Sequence, residues 1–118
     1  MCDMVPGDEG ILTHLRRGVL EYCILAMLTE QQSYGLDIAR HLTADGVLMA
    51  SEGTLYPLLA RLRKAGLVDT TWQESAEGPP RRYYNLTGSG RDALASFTAT
   101  WPTFRDAVDA ALDGGGDR

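Results

Sequence analysis

Apolar residues recur along most of this chain at intervals of three and four positions, the spacing of helices with one buried face. Over residues 11–28 the apolar stripe is wide, which predicts a helix buried on more than one side. A second helix is predicted over residues 33–44. Ser33 is its expected N-cap, because a serine hydroxyl can accept a free backbone N–H of the first turn. A third helix is predicted over residues 51–66.

The third predicted helix has two faces of different character. Its leucines fall on one side of a helical wheel, whereas the opposite side and its edges carry small, polar and basic residues. Pro57 removes a backbone N–H and clashes with the preceding turn unless it lies near a helix start. The helix is therefore expected to begin near Gly53 or to kink. Gly66 is expected to end it as a C′ glycine.

Two segments with extended-chain propensity follow, and then a last helix. Residues 67–74 and 81–86 are rich in Val, Thr, Trp and Tyr, and the loop over residues 75–80 contains Gly-Pro-Pro, which predicts a β-hairpin. Thr87 is expected to cap the last helix. Pro102 is expected to bend or restart that helix, with a new cap behind it. The apolar positions form a narrow seam of three-and-four spacing, typical of helix pairing: Leu94, Phe97, Trp101, Phe104, Val108 and Ala111.

The order helix, helix, helix, strand, strand predicts a winged helix-turn-helix: a mainly α fold with a small β-hairpin wing, extended by a C-terminal dimerisation helix. In this arrangement the third helix, called here the recognition helix, enters the major groove of DNA and the hairpin lies along the backbone. In this motif the start of the second helix faces the phosphate backbone, and helix N-termini attract anions, so Ser33 and Tyr34 are candidate phosphate contacts, with simple capping and packing as the alternative. The candidate DNA contacts are Ser33, Tyr34, Ser51, Thr54, Tyr56, Arg61, Lys64, Arg81 and Arg82.

The 118 residues suit one domain with an acidic tail at each end. We expect a flexible tail over residues 1–10, the DNA-binding domain over 11–87, the dimerisation helix over 88–112 and a second flexible tail over 113–118. The net charge is −5, yet residues 11–91 carry 9 basic and 8 acidic side chains. The basic clusters therefore lie in the centre, although the acidic total argues against a protein that coats nucleic acid without specificity.

Other functional classes find little support in the sequence. No signal peptide is visible, and no apolar stretch approaches the roughly 20 residues that span a bilayer, so a cytoplasmic protein without membrane partners is expected. Cys2 and Cys23 make no disulfide framework. His14 and His41 lie on separate predicted helices, and no metal site is expected. Catalytic motifs are missing, so neither an enzyme nor a cofactor is predicted.

Several segments resemble the PadR family of bacterial transcription regulators, in particular its short members. They are Leu-Arg-Arg-Gly-Val-Leu-Glu over residues 15–21, Ser-Tyr-Gly-Leu-Asp-Ile-Ala over 33–39, Gly-Thr-Leu-Tyr-Pro over 53–57 and Arg-Tyr-Tyr-Asn-Leu-Thr over 82–87. The resemblance spans about residues 12–112. It implies a homodimeric DNA-binding repressor whose last helix pairs with its twin.

The same resemblance bears on the aromatic residues of the last helix. In some short relatives a tryptophan at the position of Trp101 lines a flat pocket at the dimer centre, where planar apolar compounds stack. Phe97, Trp101 and Phe104 are therefore candidates for a ligand site, with a core position as the alternative for Trp101. Trp72 is expected to pack against the last helix.

Together these observations predict a homodimer that binds a pseudo-palindromic operator, and the resemblance implies that it is a ligand-responsive repressor. The alternative is a winged-helix module that binds another protein through the same surface, without sequence-specific DNA binding. The acidic net charge favours the alternative, whereas the basic residues of the recognition helix and wing favour DNA.

Overall fold

Five helices and one three-stranded antiparallel sheet make up residues 8–29, 31–76 and 78–117, the part of the chain that this computed structural model describes. The predicted mainly α fold with a β-hairpin is confirmed. The elements, in chain order, are α1 (Asp8–Arg16), α2 (Leu20–Met27), β1 (Ser33–Tyr34), α3 (Gly35–Thr43), α4 (Leu55–Lys64, preceded by a 3-10 turn at Glu52–Thr54), β2 (Val68–Ser75), β3 (Gly78–Leu86) and α5 (Gly88–Asp117).

The first predicted helix is two helices in the structure. α1 ends at Arg16 and α2 begins at Leu20, so the prediction of one helix over residues 11–28 is wrong. Gly18 lies between them with φ +79°, a backbone conformation that glycine adopts without a Cβ penalty. The apolar spacing continues across the break, which is why periodicity alone did not locate it.

The hydrophobic core forms where α2, α3 and α4 meet the sheet. Ile24 and Leu25 of α2, Ile38 of α3 and Leu55 of α4 are fully buried, and Tyr84 of β3 closes the side of the sheet. The core is contiguous, and its other members are Leu20, Leu28, Ala39, Leu42, Met49, Leu59, Leu62 and Val68. Burial of one such aliphatic side chain contributes about 1.5–3 kcal/mol to the free energy of folding. The buried leucines of α4 together therefore hold this helix against the sheet.

The recognition helix, α4, lies within the predicted range of residues 51–66 and is preceded by a 3-10 turn. Its α-helical part begins at Leu55, so Pro57 lies in the first turn, where the missing N–H is tolerated. Gly66 has φ +81°. The N–H of Leu67 donates to the Leu62 carbonyl and that of Gly66 to the Arg63 carbonyl, which is a Schellman motif.

Ser33 does not cap α3. It belongs to β1 and pairs with Tyr84, while Tyr34 pairs with Tyr83 and occupies the N-cap position without a side-chain hydrogen bond. The predicted cap is therefore wrong, because a strand partner some 50 residues away places Ser33 in a sheet.

The hairpin is longer than predicted. β3 begins at Gly78, so Pro79 and Pro80 belong to the strand and not to the expected loop over residues 75–80. Gln73 faces Arg81 and Ser75 faces Gly78, which leaves the two prolines opposite Glu74 as a bulge. A bulge tolerates proline because the ladder hydrogen bonds are interrupted there.

α5 starts at a cap that the sequence predicted and ends later than expected. Thr87 Oγ1 accepts the Gly90 N–H at 3.0 Å and donates to the Gly66 carbonyl at 2.7 Å. The helix continues through Pro102 to Asp117 without a restart, so the second tail is helical over residues 113–117. α1 begins at Asp8, so residues 8–10 are helical as well. The rest of the two predicted tails, residues 1–7 and 118, lies outside the described residues.

Candidate nucleic-acid interface

The outward face of α4 and its preceding turn is a continuous exposed surface. Its members that were predicted to contact DNA are all exposed, while the leucines of the other face are buried or half-buried. Ser51 precedes the turn in an extended conformation, and its side chain makes no capping hydrogen bond. The exposed set comprises Ser51, Thr54, Tyr56, Arg61 and Lys64.

Tyr56 connects this face to the start of α3. It is 50% exposed, yet its ring lies against Gly35, the first residue of α3. A Cβ on Gly35 would lie 2.8 Å from the Tyr56 ring carbon Cε1 and hydroxyl. The absent side chain at Gly35 therefore lets the tyrosine lie across the N-terminus of α3 and keeps the two helices of the motif close together.

Arg61 is exposed but ion-paired within the protein. Its Nε donates to Glu21 Oε2 of α2 at 2.5 Å, and the Glu21 side chain is 24% exposed. Arg61 therefore lies on the edge of α4 that faces α2, with part of its charge neutralised. Lys64, three residues on, belongs to the outward side.

The two adjacent wing arginines lie on opposite faces of the hairpin, as strand alternation requires. The Arg81 guanidinium lies 4.7 Å from the ring centre of Tyr34, and that ring meets Tyr83 edge to face at 5.4 Å. The Arg82 guanidinium lies 5.0 Å from the ring centre of Trp72, its cross-strand partner. Trp72 is 63% exposed, so the prediction that it packs against the last helix is wrong.

The N-terminus of α3 is oriented for an anion. Its N-cap, Tyr34, offers no side-chain acceptor to the first-turn N–H groups. Ser33 and Tyr34 are half-buried, and the guanidinium of Arg81 stands over the Tyr34 ring. The uncapped first turn, the helix dipole and the neighbouring guanidinium favour a phosphate at this place, whereas the Asp37 carboxylate in the same turn competes with it.

Arg16 has a role that the sequence did not indicate. Its side chain is only 13% exposed and holds the connection between α3 and the recognition helix. Nε donates to the Val47 carbonyl at 2.8 Å, Nη2 to the Gly46 carbonyl at 2.7 Å, and Nη1 pairs with Glu9 at 2.6 Å. No local signal identifies these partners, because the carbonyls lie about 30 residues along the chain.

The aromatic residues of α5 form a row in which Tyr22, Phe97 and Trp101 are stacked and Phe104 is tilted against Trp101. Phe97 stacks on Tyr22 of α2 with ring centres 4.4 Å apart, Trp101 follows Phe97 at 5.7 Å, and Phe104 follows Trp101 at 6.4 Å. Trp101 and Phe104 also line a cleft of about 590 Å³. Phe97 does not line it. The cleft is bounded further by α1 and by the connection before α4, through Leu12, Leu15, Val47 and Leu48.

The described residues also bear on metal binding, thiol reactivity and membrane crossing. They contain no group of three or more His, Cys, Asp or Glu side chains that could hold a metal ion. Burial raises the pKa of the Cys23 thiol, which disfavours the reactive thiolate. Across residues 8–29, 31–76 and 78–117, none of the helices has the length and apolarity that crossing a membrane requires.

Known proteins are similar to this chain in sequence and in fold. A model of the transcriptional regulator PadR-like family matches residues 24–96. The chain is 32% identical to a transcriptional regulator of Mycobacterium tuberculosis, over 70% of this chain and 76% of that protein.

Solved structures agree. A PadR family transcriptional regulator from Eggerthella lenta has a TM-score of 0.76 and 33% identity, covering 88% of this chain and 90% of that one. A PadR-like regulator from Bacillus cereus has a TM-score of 0.74 and 35% identity, covering 84% and 96%. On these matches the chain belongs to the PadR-like family, whose members are DNA-binding transcriptional regulators and not enzymes.

Proposed function

We propose that this protein is a ligand-responsive repressor that binds a pseudo-palindromic operator as a homodimer. The observation that carries the DNA-binding part is the exposed, polar and basic outward face of α4 beside a wing with two arginines. A helix of this diameter fits the major groove of B-DNA, and a hairpin beside it reaches the backbone.

The candidate contacts divide into two kinds. Thr54 and Tyr56 lie at the start of α4, where they contact base edges and determine the sequence preference. Phosphate contacts position the protein and come from the residues around the start of α3, from the wing, and from the charged or hydroxyl groups along α4. These are Ser33, Tyr34, Ser51, Arg61, Lys64, Arg81 and Arg82.

The homodimer is supported by apolar side chains that the single chain leaves in water. On α5, Phe104 is 61% and Leu112 is 74% exposed, with Val108 between them. On α1, Ile11 and Leu15 are equally exposed. Contiguous exposed apolar surface of this kind marks an association site. Leu94 and Phe97, which the seam pattern also assigned to a partner, pack against the protein's own core and Tyr22.

The effector site is proposed at the cleft beside Trp101 and Phe104. Its walls are largely apolar, and they include Val47 and Leu48, which lead into the recognition helix. A planar apolar compound wedged against the last helices would reset the spacing of the two recognition helices. The compound must bind one spacing more tightly than the other, or it shifts nothing.

Salt-dependent DNA binding tests the central part. The double variant Arg81→Ala with Arg82→Ala should weaken binding to every duplex and flatten the slope of log affinity against log salt, because fewer counterions are released. Thr54→Ala should instead change which sequence is preferred. Unchanged affinity and slope in the double variant would contradict the assignment of the wing.

Tryptophan emission tests the effector site. A panel of planar aromatic compounds is titrated into wild type and into Trp101→Phe, and the difference between the two isolates Trp101. A compound that binds at the cleft should quench Trp101 and release operator DNA, and Trp101→Ala should remove that response. If no compound affects Trp101, or if Trp101→Ala unfolds the dimer, Trp101 is a core residue.

A further inference from the structure

Trp72 and Arg82 lie on the same side of the sheet as the recognition helix. In the antiparallel pair β2–β3, Val68 faces Leu86 and Trp72 faces Arg82, so alternate residues from Val68 to Trp72 share one face. Val68 is 2% exposed and belongs to the core that the leucines of α4 complete. Beyond the edge of this core, the same face continues outward and presents Trp72.

This geometry shows which face of the hairpin, that of Trp72 and Arg82, would look toward bound DNA. A duplex that contacts the outward surface of α4 lies on the α4 side of the sheet. The hairpin face that looks toward that side carries Trp72 and Arg82, whereas Arg81 lies on the other face, beside Tyr34 at the start of α3, so the two arginines would reach different phosphates. Two neighbouring arginines of the wing are therefore not equivalent.

The indole also restricts the orientation of the Arg82 guanidinium. The guanidinium lies over the Trp72 ring, and its Nε is buried without a hydrogen-bond partner among the described residues. An arginine has five N–H donors in a planar fork, so a shielded Nε leaves the four donors of the two terminal nitrogens for another group. A flat group held over an aromatic face loses little further freedom on binding, which favours a bidentate contact to phosphate.

We propose that Trp72 is a positioning residue that holds the Arg82 guanidinium toward the phosphate backbone of the duplex bound along α4. This proposal rests on the proposed DNA binding. It attributes part of the affinity for DNA to Trp72, whose side chain has no charge. The occupant of this face is duplex DNA, because a guanidinium on an exposed face continuous with the recognition helix complements phosphate.

The test uses the full chain and duplexes of about 30 base pairs, long enough for two half-sites one or two helical turns apart. One duplex is selected by the wild-type protein from a random pool, and the other has the same composition in scrambled order. Affinity is measured across salt concentrations for wild type, Trp72→Ala, Trp72→Phe, Arg81→Ala, Arg82→Ala and the two double variants that join Trp72→Ala to each arginine change. Circular dichroism and melting check that each variant is folded, and Trp72 is exposed enough for its removal to leave the core intact.

We expect Trp72→Ala to weaken binding to both duplexes about fivefold and to lower the salt slope by about one phosphate contact. Trp72→Phe should recover most of the affinity, because it restores an aromatic face. The loss from Trp72→Ala should largely disappear when Arg82 is already alanine and should persist when Arg81 is alanine. The emission of Trp72, isolated as the difference between wild type and Trp72→Phe, should change when either duplex is added.

Three results would overturn the proposal: wild-type affinity and slope in Trp72→Ala, additive losses for Trp72→Ala with Arg82→Ala, or unchanged Trp72 emission on a duplex that is bound. If the wild-type protein binds neither duplex, the proposed DNA binding fails together with this proposal, and the wild-type titration alone reveals it.

Discussion

The connection before the recognition helix should depend on one arginine. Arg16→Met keeps the aliphatic stem but removes the donors to the Gly46 and Val47 carbonyls and the pair with Glu9. Hydrogen bonds to charged groups contribute about 1.5–3 kcal/mol each, and water replaces part of this because Val47 and Glu9 are exposed. We therefore expect a net loss of about 2–3 kcal/mol in the free energy of unfolding.

The loss converts into a measurable melting temperature. For 118 residues the entropy of unfolding is about 0.25 kcal/mol per kelvin, so the melting temperature should fall by roughly 10 °C. Arg40→Met is the matched control. Its side chain is 67% exposed and pairs with Asp37 at only 3.9 Å, and such surface pairs contribute little.

DNA binding should fall as well, because a released connection must be ordered again when α4 enters the groove. Fixing one backbone residue costs about 1–2 kcal/mol, so affinity for a selected duplex should drop about tenfold. Calorimetric melting at one protein concentration and fluorescence anisotropy provide the two readouts. A melting temperature for Arg16→Met within about 2 °C of that of Arg40→Met would refute the reasoning.

Three further outcomes are expected. Gly90→Ala should destabilise the protein by about 1–3 kcal/mol, because its Cβ would lie 2.1 Å from the Leu67 carbonyl oxygen; Gly88→Ala in the same helical turn meets open space and should not, as paired thermal melts will reveal. Glu21→Gln should remove the negative charge that neutralises Arg61 and strengthen binding to scrambled DNA with a steeper salt slope, and an unchanged slope would mean that Arg61 does not reach the backbone. Val108→Asp should yield a monomer in light scattering at micromolar concentration, whereas Asp109→Asn on the next position should remain a dimer; a dimeric Val108→Asp protein would contradict the proposed interface.

Local rules were enough for the recognition helix and the start of α5. The two faces of α4, its end at Gly66 and the cap at Thr87 follow from side-chain period and from backbone chemistry within a few residues. The family resemblance also rests on short segments, and the family match over residues 24–96 agrees with it. These features depend on neighbours in the chain, which the sequence contains directly.

The errors concern places where distant partners override a local preference. Ser33 has good cap chemistry, but the backbone of Tyr84 draws it into a strand. Trp72 has a large apolar side chain of the kind usually found in a core. In the structure it is exposed, and the Arg82 guanidinium lies over its ring. The sequence predicts that Pro102 bends or restarts the last helix, and of these two outcomes the restart is wrong, because α5 continues through it.

The candidate DNA-binding site also has parts that the sequence determined and parts that only the tertiary structure decided. The sequence by itself determined which residues form the exposed face of α4 and that two arginines lie in the return strand of the wing. Helical and strand periodicity sort residues by face. Only the tertiary structure decided that Arg61 pairs with Glu21, that Arg16 holds the connection before α4, and that Arg81 lies over Tyr34 whereas Arg82 lies over Trp72. These pairings join residues that are far apart in the chain, and their energies depend on distances that exist only once the core has closed.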